Sequence, residues 1–214
     1  MSEVQVSVIG SGNVGGNLGA RLSNAGIPVR FGVRDVSKAA ELLARCKSDA
    51  TAVSVEEAAA KGDVVFLAVP GKVALEVARS LAPRLAGKVV VDCNNPLTWS
   101  EGPVWAPPPE GSLAQAIAKA APGARVLKGF NTFGAELHAE PGLTGAPTDV
   151  FLAGDDLEAK QTVAGLAERA GFRTVDAGPL RNASVLENVA MLWIHLAMVG
   201  GHGRQFFLGM HRRA

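Results

Sequence analysis

A doubly wound α/β domain built on a mainly parallel sheet, with a small helical extension at its C-terminus, is what this sequence predicts. Three observations carry that expectation. Short β-rich runs alternate with helical patterns of roughly ten to fifteen residues, the rhythm of βαβ units. The strand runs are almost continuously apolar, as parallel strands covered on both faces must be. Finally, 214 residues with 48% apolar content suffice for one large core.

The elements follow in order. Val4 to Ile9 reads as a strand and Val14 to Ala25 as a helix. Val29 to Val33 is the second strand, with a helix from about Lys38 to Cys46. Thr51 to Val53 is a weak third strand, and Asp63 to Val69 and Lys88 to Asp92 are stronger ones. Helices are expected at Val73 to Leu81 and Ser112 to Ala120, and a sixth strand at Arg125 to Phe130. Strands at Thr148 to Ala153 and Arg173 to Asp176 flank a helix over Leu157 to Ala170, with Asp155 and Asp156 as cap and dipole partners. A closing helix starts near Ala183; Ser184 and Glu187 have capping-box spacing, so Glu187 reads as a cap. Apolar residues surround this helix, a pattern that predicts burial on all sides. Residues 1–180 are therefore read as a nucleotide-binding domain and 181–214 as a closing helix and tail. The segment Trp99 to Gly111, with four prolines and two tryptophans, is either a surface connection or a lid.

Composition excludes several classes. The formal net charge is +1 and no basic stripe is visible, which argues against a nucleic-acid partner. The longest apolar stretch, Val185 to Val199, is interrupted by Glu187 and His195 and is too short for membrane insertion. Two cysteines, Cys46 and Cys93, cannot form a disulfide framework and read as reduced thiols in a cytoplasmic protein. With no tyrosine in the chain, the Tyr-Lys pair of short-chain alcohol dehydrogenases is impossible. The four histidines show no metal-ligand spacing.

One motif gives the sheet a ligand. Gly10-Ser11-Gly12-Asn13-Val14-Gly15 matches G-x-G-x-x-G, follows a strand, opens a helix and begins a βαβ unit, which is the context of a Rossmann dinucleotide site. Gly10 permits the tight turn, Gly12 lets the backbone approach a pyrophosphate, and Gly15 lets helix and strand pack closely. The helix N-terminus offers free N–H groups to the phosphates. At the end of the second strand, Arg34 stands where a 2′-phosphate would lie, and Lys38 is one turn on. A guanidinium suits phosphate, so NADP(H) is the expected cofactor. The alternative makes Arg34 a solvated cation and Asp35 the ribose ligand of NAD.

With these residues in place, the sequence resembles the deazaflavin (coenzyme F420)-dependent NADP oxidoreductases, and also the cytosolic domain of the six-transmembrane ferric reductases. The resemblance continues through Ala68-Val69-Pro70, Asn94-Asn95-Pro96-Leu97, Lys128-Gly129-Phe130-Asn131-Thr132 and Asp176-Ala177-Gly178-Pro179-Leu180. It implies that Ser11, Asn13 and Val14 line the phosphates and that Arg34 and Lys38 hold the 2′-phosphate. Ala68, Val69, Pro70 and Asn94 would lie along the nicotinamide, and Asn131 and Thr132 near the second substrate. Val33 departs from the serine often found there in the deazaflavin enzymes, and Asn131-Thr132 looks more like the ferric-reductase form.

Hydride transfer between a nicotinamide and a flavin-like ring needs alignment and exclusion of water more than a general acid or base. No catalytic acid–base residue is assigned. The substrate pocket is expected to include Asn131, Thr132, His138 and the turn Gly178-Pro179-Leu180. His195 reads as a satisfied buried histidine. The leading expectation is hydride exchange between NADPH and coenzyme F420 or a flavin as a small redox carrier, in a homodimer built partly on the closing helix. The competing expectations are an NADPH-binding redox sensor and a reductase of a small imine, carbonyl or ferric substrate.

Overall fold

The computed structural model describes residues 4–47 and 49–211. The first half of the chain runs β1 (Val6–Ile9), α1 (Asn13–Asn24), β2 (Val29–Gly32), α2 (Ala40–Leu43), β3 (Ala50–Val53), α3 (Val55–Lys61), β4 (Val64–Leu67), α4 (Gly71–Leu85) and β5 (Val89–Asp92). A two-stranded hairpin follows, β6 (Leu97–Trp99) and β7 (Pro103–Trp105). The rest is α5 (Leu113–Ala120), β8 (Arg125–Lys128), α6 (Ala135–Ala139), β9 (Asp149–Gly154), α7 (Leu157–Arg169), β10 (Arg173–Asp176) and α8 (Ala183–Met198).

The main sheet has the order β10-β9-β8-β5-β4-β1-β2-β3. Every neighbouring pair is parallel except β8 and β9, where Leu127 faces Gly154 and Lys128 faces Ala153. The expected doubly wound, mainly parallel sheet is therefore present. β9 and β10 run against the other strands, and β9 ends with Gly154 opposite Leu127, next to the last residue of β8.

Successive residues of the central strands feed opposite cores, as the two-residue period of a strand requires. Val8, Phe66 and Val91 pack with Leu18 of α1 and Val163 of α7 on one face. Ile9, Val65, Leu67 and Val90 pack with Leu81 of α4 and Ile117 of α5 on the other. In the first core Phe130 sits edge-on to both Phe66 (5.5 Å) and Phe172 (5.4 Å), the geometry that aromatic quadrupoles prefer.

Several boundaries differ from the sequence expectation. The helix expected over Lys38–Cys46 is a 3₁₀ turn at Val36–Lys38 followed by the four-residue α2. Asp35 caps that turn by accepting from the Ser37 N–H at 3.1 Å. Helix α3 was not anticipated, although Ser54 caps it by accepting from the Glu57 N–H. The Trp99–Gly111 segment carries most of the β6–β7 hairpin, which packs on α8. Asp156 caps α7 by accepting from the Ala159 N–H, whereas Asp155 accepts from the Leu180 N–H.

Two expectations for α8 are overturned. Glu187 is not a cap: it is fully buried in the protein interior, and the residue at the helix N-terminus is Asn182. Nor is the helix buried all round. Leu186, Ala190, Trp193 and Ala197 face the core, while Val185, Leu192 and Met198 are more than half exposed. His195, expected to be buried, is exposed on that outer face.

Candidate functional site

The chain leaves β1 for β2 in one direction and reaches β4 in the other, so a crevice opens at the carboxyl ends of these strands. That switch point is where open α/β sheets bind ligands. A cleft of about 670 Å³ lies there. It runs from the glycine turn to the segment after β5.

The glycine turn is shaped by close approaches. Gly10 has φ +109°, and a Cβ on it would lie 2.2 Å from the Ala68 carbonyl oxygen. A Cβ on Gly15 would lie 2.2 Å from the Gly10 carbonyl oxygen. Gly12 is different: a Cβ there would meet nothing within 4 Å. It N-caps α1 with no side-chain hydrogen bond, so the first N–H groups of the helix are left for a ligand. Ser11, Asn13 and Val14 line the cleft beside it. Open space over an uncapped helix start fits a dinucleotide pyrophosphate.

At the end of β2 the cleft continues into a second concavity of about 540 Å³, with Ser11, Val33 and Arg34 common to both. Arg34, Lys38 and Arg45 bring three cations to its walls, against Asp35 and Glu41. Asp35 is already engaged. Its Oδ1 accepts from both the backbone and the hydroxyl of Ser37, and its Oδ2 pairs with Lys38 at 3.3 Å. Those bonds hold its carboxyl below the usual carboxylate range, the Ser37 hydroxyl first. Arg34 has no ion-pair partner among the described residues. The residues present therefore fit a 2′-phosphate better than a bare ribose. Arg45, which donates to the Asn17 side chain, was not anticipated; its signal was one basic residue after a helix whose end was misjudged.

The other end of the cleft is walled by Ala68, Val69, Pro70, Cys93, Asn94 and Leu97. Asn94 is held firmly: its Nδ2 donates to the Leu67 carbonyl (3.0 Å) and to Asp92 Oδ1 (2.7 Å). Cys93 is buried, and burial drives its thiol far above the ordinary range.

Behind this wall lies a charged cluster that the sequence reading missed. Lys128 is wholly buried. Its Nζ donates to Asp92 Oδ2 at 2.8 Å, to Glu187 Oε1 at 3.0 Å and to the Asn94 carbonyl. Glu187 also accepts from the Trp105 indole N–H and the Leu113 N–H, both at 2.9 Å. The available signal was charge at the ends of otherwise apolar strands, Asp92 after Val89–Val91 and Lys128 after Val126–Leu127.

The expected substrate residues divide three ways. Asn131 and Thr132 are buried behind the cleft wall, Asn131 exchanging hydrogen bonds with Asn95 (both 2.9 Å) and donating to the Leu186 carbonyl. His138 does not belong to the cleft. It is fully buried, its ring nitrogens each 2.9 Å from a carbonyl, those of Gly134 and Phe130, and its ring centre lies 4.5 Å from that of Phe133, with the rings tilted by 37°. Burial lowers its pKa from the ordinary imidazole value, opposed by those two carbonyls. Gly178-Pro179-Leu180 is also misplaced by the sequence reading. The Gly178 carbonyl accepts from the Gly154 N–H at the end of β9, which β8 and β5 separate from β4, and none of the three residues lines the cleft.

Comparison with known proteins agrees with this geometry. The sequence pattern of the family described as NADP oxidoreductase, coenzyme F420-dependent, matches residues 5–96. The F420-dependent NADP reductase of Methanothermobacter thermautotrophicus is 31% identical over 211 residues, spanning 90% of this chain and 89% of that protein. The metalloreductase STEAP3 of Rattus norvegicus is 34% identical over 188 residues, but this chain spans only 36% of its length. A crystal structure described as an F420-dependent NADP reductase, from Arthrobacter sp. fb24, superposes with TM-score 0.87 at 30% identity and covers 98% of this chain and 100% of that one. An NADPH-bound reductive aminase from Aspergillus terreus, 19% identical with TM-score 0.68, shares the fold. Among the described residues no helix is long and apolar enough to cross a membrane. The chain belongs to the family of coenzyme F420-dependent NADP oxidoreductases and is an NADP-dependent oxidoreductase.

Proposed function

We propose that this protein moves hydride between NADPH and a flavin-like carrier, coenzyme F420 or a flavin. The observation that supports this most is the make-up of the cleft. Its phosphate end is built from an uncapped helix start and Arg34, which has no ion-pair partner among the described residues. Its other end is built from Val69, Pro70 and Leu97, flat and apolar enough to take stacked rings. Bound NADPH supplies the hydride. The chain's own residues bind, orient and exclude water: Gly12 and α1 take the pyrophosphate, Arg34 and Lys38 the 2′-phosphate, and Val69, Pro70 and Asn94 set the ring plane. The ionisable side chains lining the cleft are Arg34 and Cys93. Neither is suited to proton transfer near neutral pH, so catalysis rests on alignment. On the same reading the protein works in the cytoplasm as a homodimer, residues 1–180 holding cofactor and the outer face of α8 meeting its counterpart. The test is NADPH oxidation with coenzyme F420, riboflavin, FMN and ferric chelates as separate acceptors. Turnover is expected with F420 or a flavin; turnover with ferric chelates alone would overturn the carrier assignment.

A further inference from the structure

The buried cluster around Lys128 ties together side chains that are far apart in the chain. Asp92, Lys128 and Glu187 are each completely buried. A buried ionic cluster is a weak source of net stability, because desolvation offsets most of the attraction. All three ammonium protons of Lys128 are used internally, so it has none to offer a ligand. What distinguishes the cluster is what it joins. Lys128 ends β8, Asp92 ends β5, Glu187 is on α8, Trp105 is on the hairpin, and Leu113 opens α5. Both the carbonyl and the side chain of Asn94 are bound into it, through Lys128 and Asp92. Asn94 and Leu97 are cleft-wall residues, and Leu97 pairs with Trp105 across the hairpin.

We propose that Glu187, Lys128 and Asp92 are positioning residues that hold the Asn94–Leu97 wall against the nicotinamide half of the cofactor, so that α8 sets the hydride geometry without touching it. Through Lys128, Glu187 fixes the start of the wall; through Trp105, it fixes the end. The proposal rests on the NADPH reading above and adds residues to it. It also separates the cleft into two mechanically distinct halves. The phosphate half is built on β1, α1 and β2, and among the described residues no side-chain hydrogen bond of Asp92, Lys128 or Glu187 reaches those elements.

That separation is testable with two ligands. NADPH occupies both halves, whereas 2′,5′-ADP occupies the phosphate half alone. Calorimetry on full-length Glu187→Gln and Trp105→Phe proteins is expected to show NADPH affinity falling about tenfold while 2′,5′-ADP affinity is unchanged. Arg34→Ala should weaken both ligands. Turnover of the two cluster variants at saturating NADPH should fall by up to roughly a hundredfold, the scale of a small misplacement. Equal loss of both ligands, or no loss of either with turnover intact, would overturn the proposal. Trp105→Phe leaves the Lys128 ion pairs untouched, so it decides the matter if Glu187→Gln does not fold. Unsubstituted protein that binds neither ligand would overturn the NADPH reading itself, and is recognisable as that separate failure.

Discussion

Trp105 and Glu187 lie 82 positions apart in sequence, yet the indole N–H of one donates to the carboxylate of the other at 2.9 Å. The same carboxylate receives Lys128 and the first N–H of α5. One side chain of the last helix thus joins the hairpin, the middle of the sheet and a flanking helix.

Removal of that carboxylate should be costly. Glu187→Ala leaves Lys128 buried with one anion instead of two and strips acceptors from Trp105 and Leu113. A loss of about 3–5 kcal/mol in unfolding free energy is expected, measured by urea titration. A loss below about 1 kcal/mol would show that water enters and replaces it.

Cofactor choice should follow Arg34. A charge-assisted phosphate contact contributes roughly 1.5–3 kcal/mol, or about 10- to 150-fold. Arg34→Ala should weaken NADPH by that order and leave NADH little changed in calorimetry. Equal affinity of the unsubstituted protein for the two would contradict the 2′-phosphate assignment.

The three glycines of the turn should not be equivalent. Gly12→Ala places a methyl in open space, so thermal melts should barely move while NADPH affinity falls. Gly15→Ala drives a Cβ to 2.2 Å from the Gly10 carbonyl oxygen, and should cost stability by about 1–3 kcal/mol. Reversal of that pattern would mean that the cofactor approaches elsewhere.

His138 should act on stability rather than turnover. Its pKa in the fold is lowered from 6.5, chiefly by burial, so below that value the unfolded chain binds the extra proton more readily. Its contribution is therefore complete above pH 6.5 and is lost as pH falls from there toward the folded pKa. Urea midpoints at pH 7.5 and 5.5 should drop less for His138→Gln than for the unsubstituted protein. Turnover of folded His138→Ala should fall by less than the roughly 10²- to 10⁴-fold expected for a lost general acid or base.

The outer face of α8 is an expected contact between copies. Val185, Leu192 and Val199 recur at seven-residue spacing and are all exposed, the pattern of a helix seam. Light scattering should give a dimer mass at micromolar concentration, and Leu192→Lys should give a monomer with its melting temperature retained.

Local pattern was enough for the sheet, the glycine turn and the cations after β2, because each depends on residues within one βαβ unit. A strand's apolar period, a glycine that must admit a close backbone, and an arginine two residues past a strand are all near neighbours in the chain. The same kind of local rule misled at Glu187. Ser54–Glu57 and Ser184–Glu187 share the Ser-x-x-Glu spacing. At the first, Ser54 caps a helix and Glu57 pairs with Lys61 on the surface. At the second, the glutamate turns inward to a lysine 59 positions away. Which of the two a glutamate does depends on whether its helix face meets solvent or the sheet, and only the packing of α8 decided that. The direction of β9 was likewise invisible, since a strand's apolar period is the same read either way. Gly178-Pro179-Leu180 follows β10 outside the cleft, whose wall is formed by Asn94 and Leu97 with Lys128 and Glu187 buried behind it.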